Sequence, residues 1–523
     1  MSNQAGMRRS GIHSLKNGLL LLCLFAPSLW MLKTIPPLWR DADGYVQLTA
    51  DPLVATFWGH APAYCYVARI PLFIGEYWER FRGIAIPPSA QLATPAITDA
   101  GVALLIGAQH LALGLSIFYF ISAVSRRFWV RSILAVVWAS NPLFYTFAHC
   151  VGSETLGMIL IIVLALKGLP LSDADQEIRW KDWYVFAVVL LLSFLSRDLN
   201  RGLLLLLPLT LLLGWLFGRR TLRNAFLRCT VIAVAVGTVT LFVANSLPRT
   251  LARKTHLRPH SRIGFTYLWH LRALGELPAE ERTALLRQVG ARAHSQSIRD
   301  LIALLDKMLA ESSEPLDQHS FVNRAVWLFG GPPHWEELDR GLNELARTFL
   351  WPPLPELTKA AGKDFTAAMT SASTSISDQP FATTSYYFEH REEMPAMADL
   401  LTFRDNATAA AINELPHRYS YFQMWRGVTY LEFLIAWLAV LGSYIAIALR
   451  RDVDPLAGSC YAVGLTIVGL LILAAACVLH DYEPRFGLSM WELLLLSLFL
   501  LAGRAAELFV GVESPPGSCS PRA

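Results

Sequence analysis

Residues 456–479 read LAGSCYAVGLTIVGLLILAAACVL, with no Asp, Glu, Lys or Arg in the run. A helix needs about 20 apolar residues to cross the hydrocarbon core of a bilayer, and this stretch is long enough. Comparable runs lie near 17–35, 101–124, 130–148, 153–170, 183–196, 202–218, 226–247, 428–449 and 488–503. Together they predict an all-α polytopic membrane protein of about ten transmembrane helices. The 183–196 run is short and ends in Ser196-Arg197-Asp198-Leu199-Asn200-Arg201, so it reads as half of a tight hairpin. The first run contains Pro27 and lacks a small-residue cleavage site before the polar stretch, which reads as a retained anchor rather than a signal peptide.

The composition agrees. Of 523 residues, 54% are hydrophobic and 16% charged, against ~25% charge in soluble domains; mean hydropathy is +0.39. The deficit sits in the apolar runs, which excludes a disordered chain, a coiled coil and an ordinary cytosolic enzyme. A net charge of +4 spread over this length is no footprint for nucleic acid. Of the seven cysteines, Cys23, Cys229, Cys460 and Cys477 fall in apolar runs, where a buried inert thiol is expected. Cys65 and Cys150 fall on one side of the membrane, and spacing leaves open whether they pair. No His or Cys spacing marks a metal site.

Lys and Arg in short loops set orientation. Placing the N-terminus inside assigns Arg8, Arg9 and Lys16, Arg126, Arg127 and Arg131, Lys167, Arg179 and Lys181, Arg219, Arg220, Arg223 and Arg228, and Arg450 and Arg451 to inner segments. The short outer loops then hold only Arg197, Arg201 and Arg485. The expected organisation is an N-terminal membrane module over 1–247 with a first outer loop at 36–100. An outer domain follows over 248–426, then membrane helices over 427–510 and an inner tail over 511–523. Within the outer domain, Ser297–Ala310 and Trp335–Leu350 place apolar residues at helical spacing, so it reads as mainly α. Ala367–Ser377, rich in Ser, Thr and Ala, reads as a flexible loop.

Polar residues gather at the outer ends of the spans. Past the first span comes Trp39-Arg40-Asp41-Ala42-Asp43-Gly44-Tyr45; Gly152-Ser153-Glu154-Thr155 opens the fourth; Arg197, Asp198, Asn200 and Arg201 lie in the hairpin; the last outer loop reads His480-Asp481-Tyr482-Glu483-Pro484-Arg485-Phe486. Polar loops are ordinary at a membrane surface. Acids and arginines from four loops on one face also make a set with chemistry: a carboxylate can take a proton from an attacking hydroxyl, and the planar guanidinium matches phosphate. Those are the parts needed to move a group off a lipid-linked phosphate.

Here the residues carry a resemblance. Asp41 and Tyr45, four apart after a first span, resemble the first-loop motif of integral membrane GT-C glycosyltransferases. The group includes the protein mannosyltransferase and aminoarabinose transferase superfamily. His60-Ala61-Pro62-Ala63-Tyr64 is similar to that family's "hPPlY" stretch, which precedes outer-surface helices. Asn141-Pro142 followed by Ser153-Glu154 resembles its third-to-fourth-span pattern, where Ser-Glu opens a helix. Ser196-Arg197 to Pro208 resembles its "Rp.g..l.lP" hairpin, with Asp198 where Pro is common. Tyr482-Glu483-Pro484-Arg485-Phe486 resembles the late "yeeRY..p..P" motif, with Phe for Tyr and without the later prolines. The likeness covers about 1–247 and 428–503.

The resemblance implies an inverting transferase in the cell inner (plasma) membrane. Its donor would be a polyprenyl-phosphate-linked sugar, and its acceptor an unspecified glycan, lipid or protein at the outer face. Asp41 is then the expected general base, with Asp43 holding an arginine or a divalent cation and Glu154 orienting the acceptor or the first loop. Tyr45, His60, Arg197, Asp198, Arg201, Tyr482, Glu483 and Arg485 are the expected substrate-binding residues, the arginines taking the donor phosphate. Two other functions compete. A flippase for lipid-linked sugars would show repeated halves and broken helices at the midplane, which this sequence lacks. A lipid-linked glycan polymerase or ligase would use outer arginines equally.

Overall fold

The structure is a computed structural model. It describes residues 2–39, 48, 62–86, 94–172, 179–217, 222–254, 274, 277–311, 321, 324–325, 327–329, 335–349, 354–390, 409–479 and 484–510. These are almost wholly helical. Among the described residues, eight helical segments are long and apolar enough to cross a membrane, one of them the 3-10 stretch from Asp198 together with the helix that ends at Phe217. In chain order the first helices are α1 (Ser2–Thr34), α2 (Pro62–Phe81), α3 (Asp99–Val124), α4 (Phe128–Ala139), α5 (Pro142–Ala148), α6 (Glu154–Leu171), α7 (Trp180–Ser196), α8 (Leu206–Phe217) and α9 (Arg223–Lys254). A 3-10 helix, Asp198–Leu205, joins α7 to α8. Two short parallel strands, β1 (Leu38–Trp39) and β2 (Cys150–Val151), pair Leu38 with Cys150 and Trp39 with Val151.

The expected 130–148 span is two helices. Pro142 has no N–H to continue the ladder and restricts the residue before it; Asn141 is extended and its side chain caps α5 through the Leu143 N–H. α4 alone has 12 residues and α7 has 17, which separates both from the eight long apolar helices. Many apolar side chains face outward, among them Val231, Val239 and Phe242 on α9. Water would penalise such a surface; hydrocarbon does not.

Polar contacts collect at the two ends of the bundle. At one end, Arg127 Nε lies 3.2 Å from Glu507 Oε2, and the Ser125 hydroxyl donates to Glu507 at 2.6 Å. Arg451 donates to the Phe509 carbonyl at 3.1 Å, and Arg131 donates to Asn17 at 3.4 Å. Arg127, Arg131 and Arg451, which the charge pattern assigns to one side, thus each bond a neighbouring helix at this end. The opposite end holds the β1–β2 pair and the segments described below.

α2 carries two apolar faces. Tyr64, Cys65, Ala68 and Leu72 are buried, and Gly75 packs directly on the Gly101 backbone of α3. Tyr66, Ile70, Phe73, Tyr77, Trp78 and Phe81 are exposed. Glu76 and Glu79 accept from the Ala96 and Ala100 N–H groups at 2.8 and 2.7 Å, fixing the helix to the start of α3. Cys65 and Cys150 are both buried, and no disulfide joins them.

Between the bundle halves lie α10 (Ala279–Arg292), α11 (Gln296–Glu311) and α12 (Trp335–Phe349), which share a core of their own. Ile298, Leu301, Ile302, Leu305, Met308 and Leu309 are its α11 stripe, the helical spacing expected over Ser297–Ala310. Next come α13 (Leu354–Thr370), α14 (Ser373–Glu389), α15 (Ala409–Arg418) and α16 (Ser420–Gln423). These join the main core through Ala368, Ile376, Phe381, Leu415 and Phe422. The flexible loop expected at Ala367–Ser377 is instead the end of α13, a two-residue break and the start of α14. Its hydroxyls bond back into the helix, Thr370 to Thr366 O at 2.8 Å and Ser371 to Ala367 O at 2.6 Å. Ser373 donates from N and Oγ to Val428 and Trp425 carbonyls at 2.9 Å each. The Ser/Thr composition that suggested a loop serves as local capping. The last helices are α17 (Tyr430–Arg450), α18 (Pro455–Leu479) and α19 (Leu488–Val510), with a 3-10 turn, Pro484–Gly487, before α19.

Candidate active site at the Trp39 end of the bundle

Glu154 opens α6, as the Ser-Glu pattern implied, where the helix dipole favours an anion. The Thr155 hydroxyl ties this turn to the Phe147 carbonyl of α5 at 2.6 Å. Arg197 follows the last residue of α7 in extended backbone, φ −151°, so its side chain leaves the helix axis. Its Nη2 lies 3.5 Å from Glu154 Oε1, with the two side chains 8% and 1% exposed. Gly157, one turn into α6, makes room for this approach: a Cβ there would lie 2.9 Å from Arg197 Cδ. Asn200, fully buried, donates to the Ser196 hydroxyl at 3.4 Å beneath it.

The hairpin arginines have different settings. Arg201 pairs with Asp198 at 2.9 Å, both partly exposed, and a pair of this kind is worth at most ~1 kcal/mol. Arg485, in the turn before α19, is half-buried and stands 5.3 Å from the ring centre of Phe486. Among the described residues, Glu154 pairs with Arg197 and Asp198 with Arg201. Asp41, Asp43, Tyr45, His60, Tyr482 and Glu483 lie outside the described residues.

The roots of those segments are described. Trp39, two residues before Asp41, is fully buried, and its backbone N–H donates to Thr384 Oγ1 of α14 at 2.8 Å. α14 packs against both β1 and the Pro484–Gly487 turn. One helix therefore joins the start of the first loop to the end of the last. It also carries Asp378, whose carboxyl is pushed up by burial and drawn down less by His417, Arg426 and a Ser377 hydrogen bond.

Two features escaped the sequence reading. α14 is one, hidden by its Ser/Thr content. The other is Glu492 in α19: it is 0% exposed, neither carboxylate oxygen has a hydrogen-bond partner among the described residues, and Arg197 acts on it electrostatically. The signal was present, since Glu492 is the only acid in the 488–503 run, and an ionisable residue in such a run is expensive. Arg197 therefore serves two buried acids, Glu154 and Glu492. No family model matches this sequence, and no curated protein matches it.

Proposed function

We propose that this chain is a membrane glycosyltransferase of the GT-C kind, using a polyprenyl-phosphate-linked sugar at the Trp39 end of the bundle. The observation that carries the reading is the convergence there of the first-loop root, the Glu154–Arg197 pair and the Arg485 turn on α14 and its neighbours. In this reading the chain makes ten passages, counting α4–α5 and α7. The Glu507 end faces the cytoplasm by its excess of Lys and Arg, and the Trp39 end and 248–426 face outward. The exposed aromatic face of α2 then lies in the membrane surface beside the site.

The reaction is a single displacement. Asp41 takes the proton of the acceptor hydroxyl as that oxygen attacks the anomeric carbon. The bond from that carbon to the phosphate oxygen breaks, its electron pair leaving with the polyprenyl phosphate, and the anomeric centre inverts. Arg485, together with Arg201 of the hairpin, stabilises the charge gathering on the departing phosphate. Arg197, buried between two acids, positions the hairpin rather than meeting the donor.

This division of labour has a direct test. Arg485→Ala is expected to weaken donor binding by about tenfold or more, the value of a charge-assisted contact of roughly 1.5–3 kcal/mol. Arg451→Ala is expected to leave it unchanged, because Arg451 is exposed and bonds the Phe509 carbonyl at the other end. The measurement is apparent affinity for a polyprenyl-phosphate sugar, with folding checked by size exclusion in detergent. Equal affinities for the two variants would remove Arg485 from the site.

A further inference from the structure

At the Trp39 end a second polar assembly is buried among apolar helices. His110 Nδ1 lies 3.0 Å from Ser28 Oγ, His110 Nε2 lies 3.1 Å from His149 Nδ1, and His149 Nε2 lies 3.0 Å from the Ile35 carbonyl. All four residues are at most 2% exposed. The donors follow from the last contact. A carbonyl only accepts, so His149 carries its proton on Nε2; with both rings neutral, its Nδ1 accepts from His110 Nε2–H, and His110 Nδ1 accepts from the Ser28 hydroxyl. Each bond fixes the tautomer and ring orientation of the next. Gln109, adjacent on α3, donates to the carbonyls of Ala148 and Cys150 at 3.1 and 3.0 Å, gripping the chain on both sides of His149.

The grip falls where the chain cannot hold itself. Pro36 and Pro37, which link α1 to β1, have no N–H to donate. The flanking groups are the Ile35 carbonyl and the Leu38 N–H, and His149 meets both: its ring donates to the first, and its own carbonyl accepts from the second at 3.2 Å. Trp39 is then fixed by Thr384. Asp41 follows Trp39 by two residues in the sequence, so the first loop starts from a root that is held at Ile35, Leu38 and Trp39.

We propose that His149, oriented by His110 and Ser28, is a positioning residue that sets where the first-loop acids stand for sugar transfer. The transfer part rests on the function proposed above; the holding of the loop root does not. A shift of ~1 Å in a reacting group can cost about a hundredfold in rate. His149→Phe keeps a ring but removes both side-chain bonds, whereas His149→Gln supplies an N–H for Ile35 and an oxygen for His110.

Two measurements on the purified full-length protein test this. Hydrogen exchange of the Leu38 amide is expected to speed up about tenfold or more in His149→Phe and to return toward wild type in His149→Gln, with α17 amides unchanged in both. In transfer assays, His149→Phe is expected to lower kcat ten- to a hundredfold with donor KM within twofold, and His149→Gln to recover most of it. Unchanged Leu38 exchange in His149→Phe would overturn the holding role. Faster exchange with normal kcat, or a loss confined to KM, would overturn the positioning role. Absence of transfer by the wild-type protein would overturn the functional reading, and with it the positioning role, while the exchange measurement still decides whether His149 holds the loop root.

Discussion

Asp41→Asn is expected to lower sugar transfer by about 10²–10⁴-fold, the usual loss when a general base is removed, with expression and membrane insertion intact. The amide keeps the shape of the side chain and loses its basicity. Three observations single out this acid: its place four residues before Tyr45, its position just past the first span, and its tether two residues from Trp39, which β2 and α14 hold while His149 holds the neighbouring Leu38. Asp43 is the built-in control. It is two residues further along the same segment and carries the same charge, so any loss of general loop electrostatics should fall on both variants. If Asp43→Asn is inactive and Asp41→Asn turns over normally, the base is Asp43. If both variants turn over normally, no first-loop acid takes the proton.

Arg197→Ala is expected to produce the largest loss of stability. It removes the guanidinium paired with Glu154, 1% exposed, and the charge acting on Glu492. Removing one partner of a buried pair costs about 3–5 kcal/mol, far more than the net contribution of the pair, because an uncompensated charge stays behind. The double variant Glu154→Gln, Arg197→Met should recover the part of that loss that belongs to Glu154, since the two charges of this pair go together, while Glu492 still lacks Arg197. Gly157→Ala should cost less, because only the flexible Arg197 side chain must shift away from the new Cβ. Thermal unfolding in detergent, followed by size exclusion, ranks the four proteins. Arg197→Ala as stable as wild type would mean that the acid is not buried against this arginine.

The long apolar helices could be read from the chain because each run is long and carries at most one or two charges, so a single local property decides it. The same locality explains the failures. Ala367–Ser377 has loop composition, and only contacts with Trp425 and Val428 turn it into the junction of two helices. The 130–148 run is mostly apolar, and its break depends on Asn141-Pro142. Glu154 and Arg197 were each visible at the end of a run, but nothing local pairs residues 43 positions apart. Glu492 was masked by its apolar neighbours. His110 and His149 looked like isolated histidines, and their meaning depends on Ile35 arriving from α1.

The central claim is that this chain moves sugar from a lipid phosphate, and its most direct measurement uses purified protein with polyprenyl-phosphate donors carrying a labelled sugar. Across a panel of sugars, one donor should lose its label to an acceptor while polyprenyl phosphate is released, and Asp41→Asn should abolish that release. Donors that cross a vesicle membrane in the presence of the protein with their sugar still attached would contradict the account and make the chain a transporter.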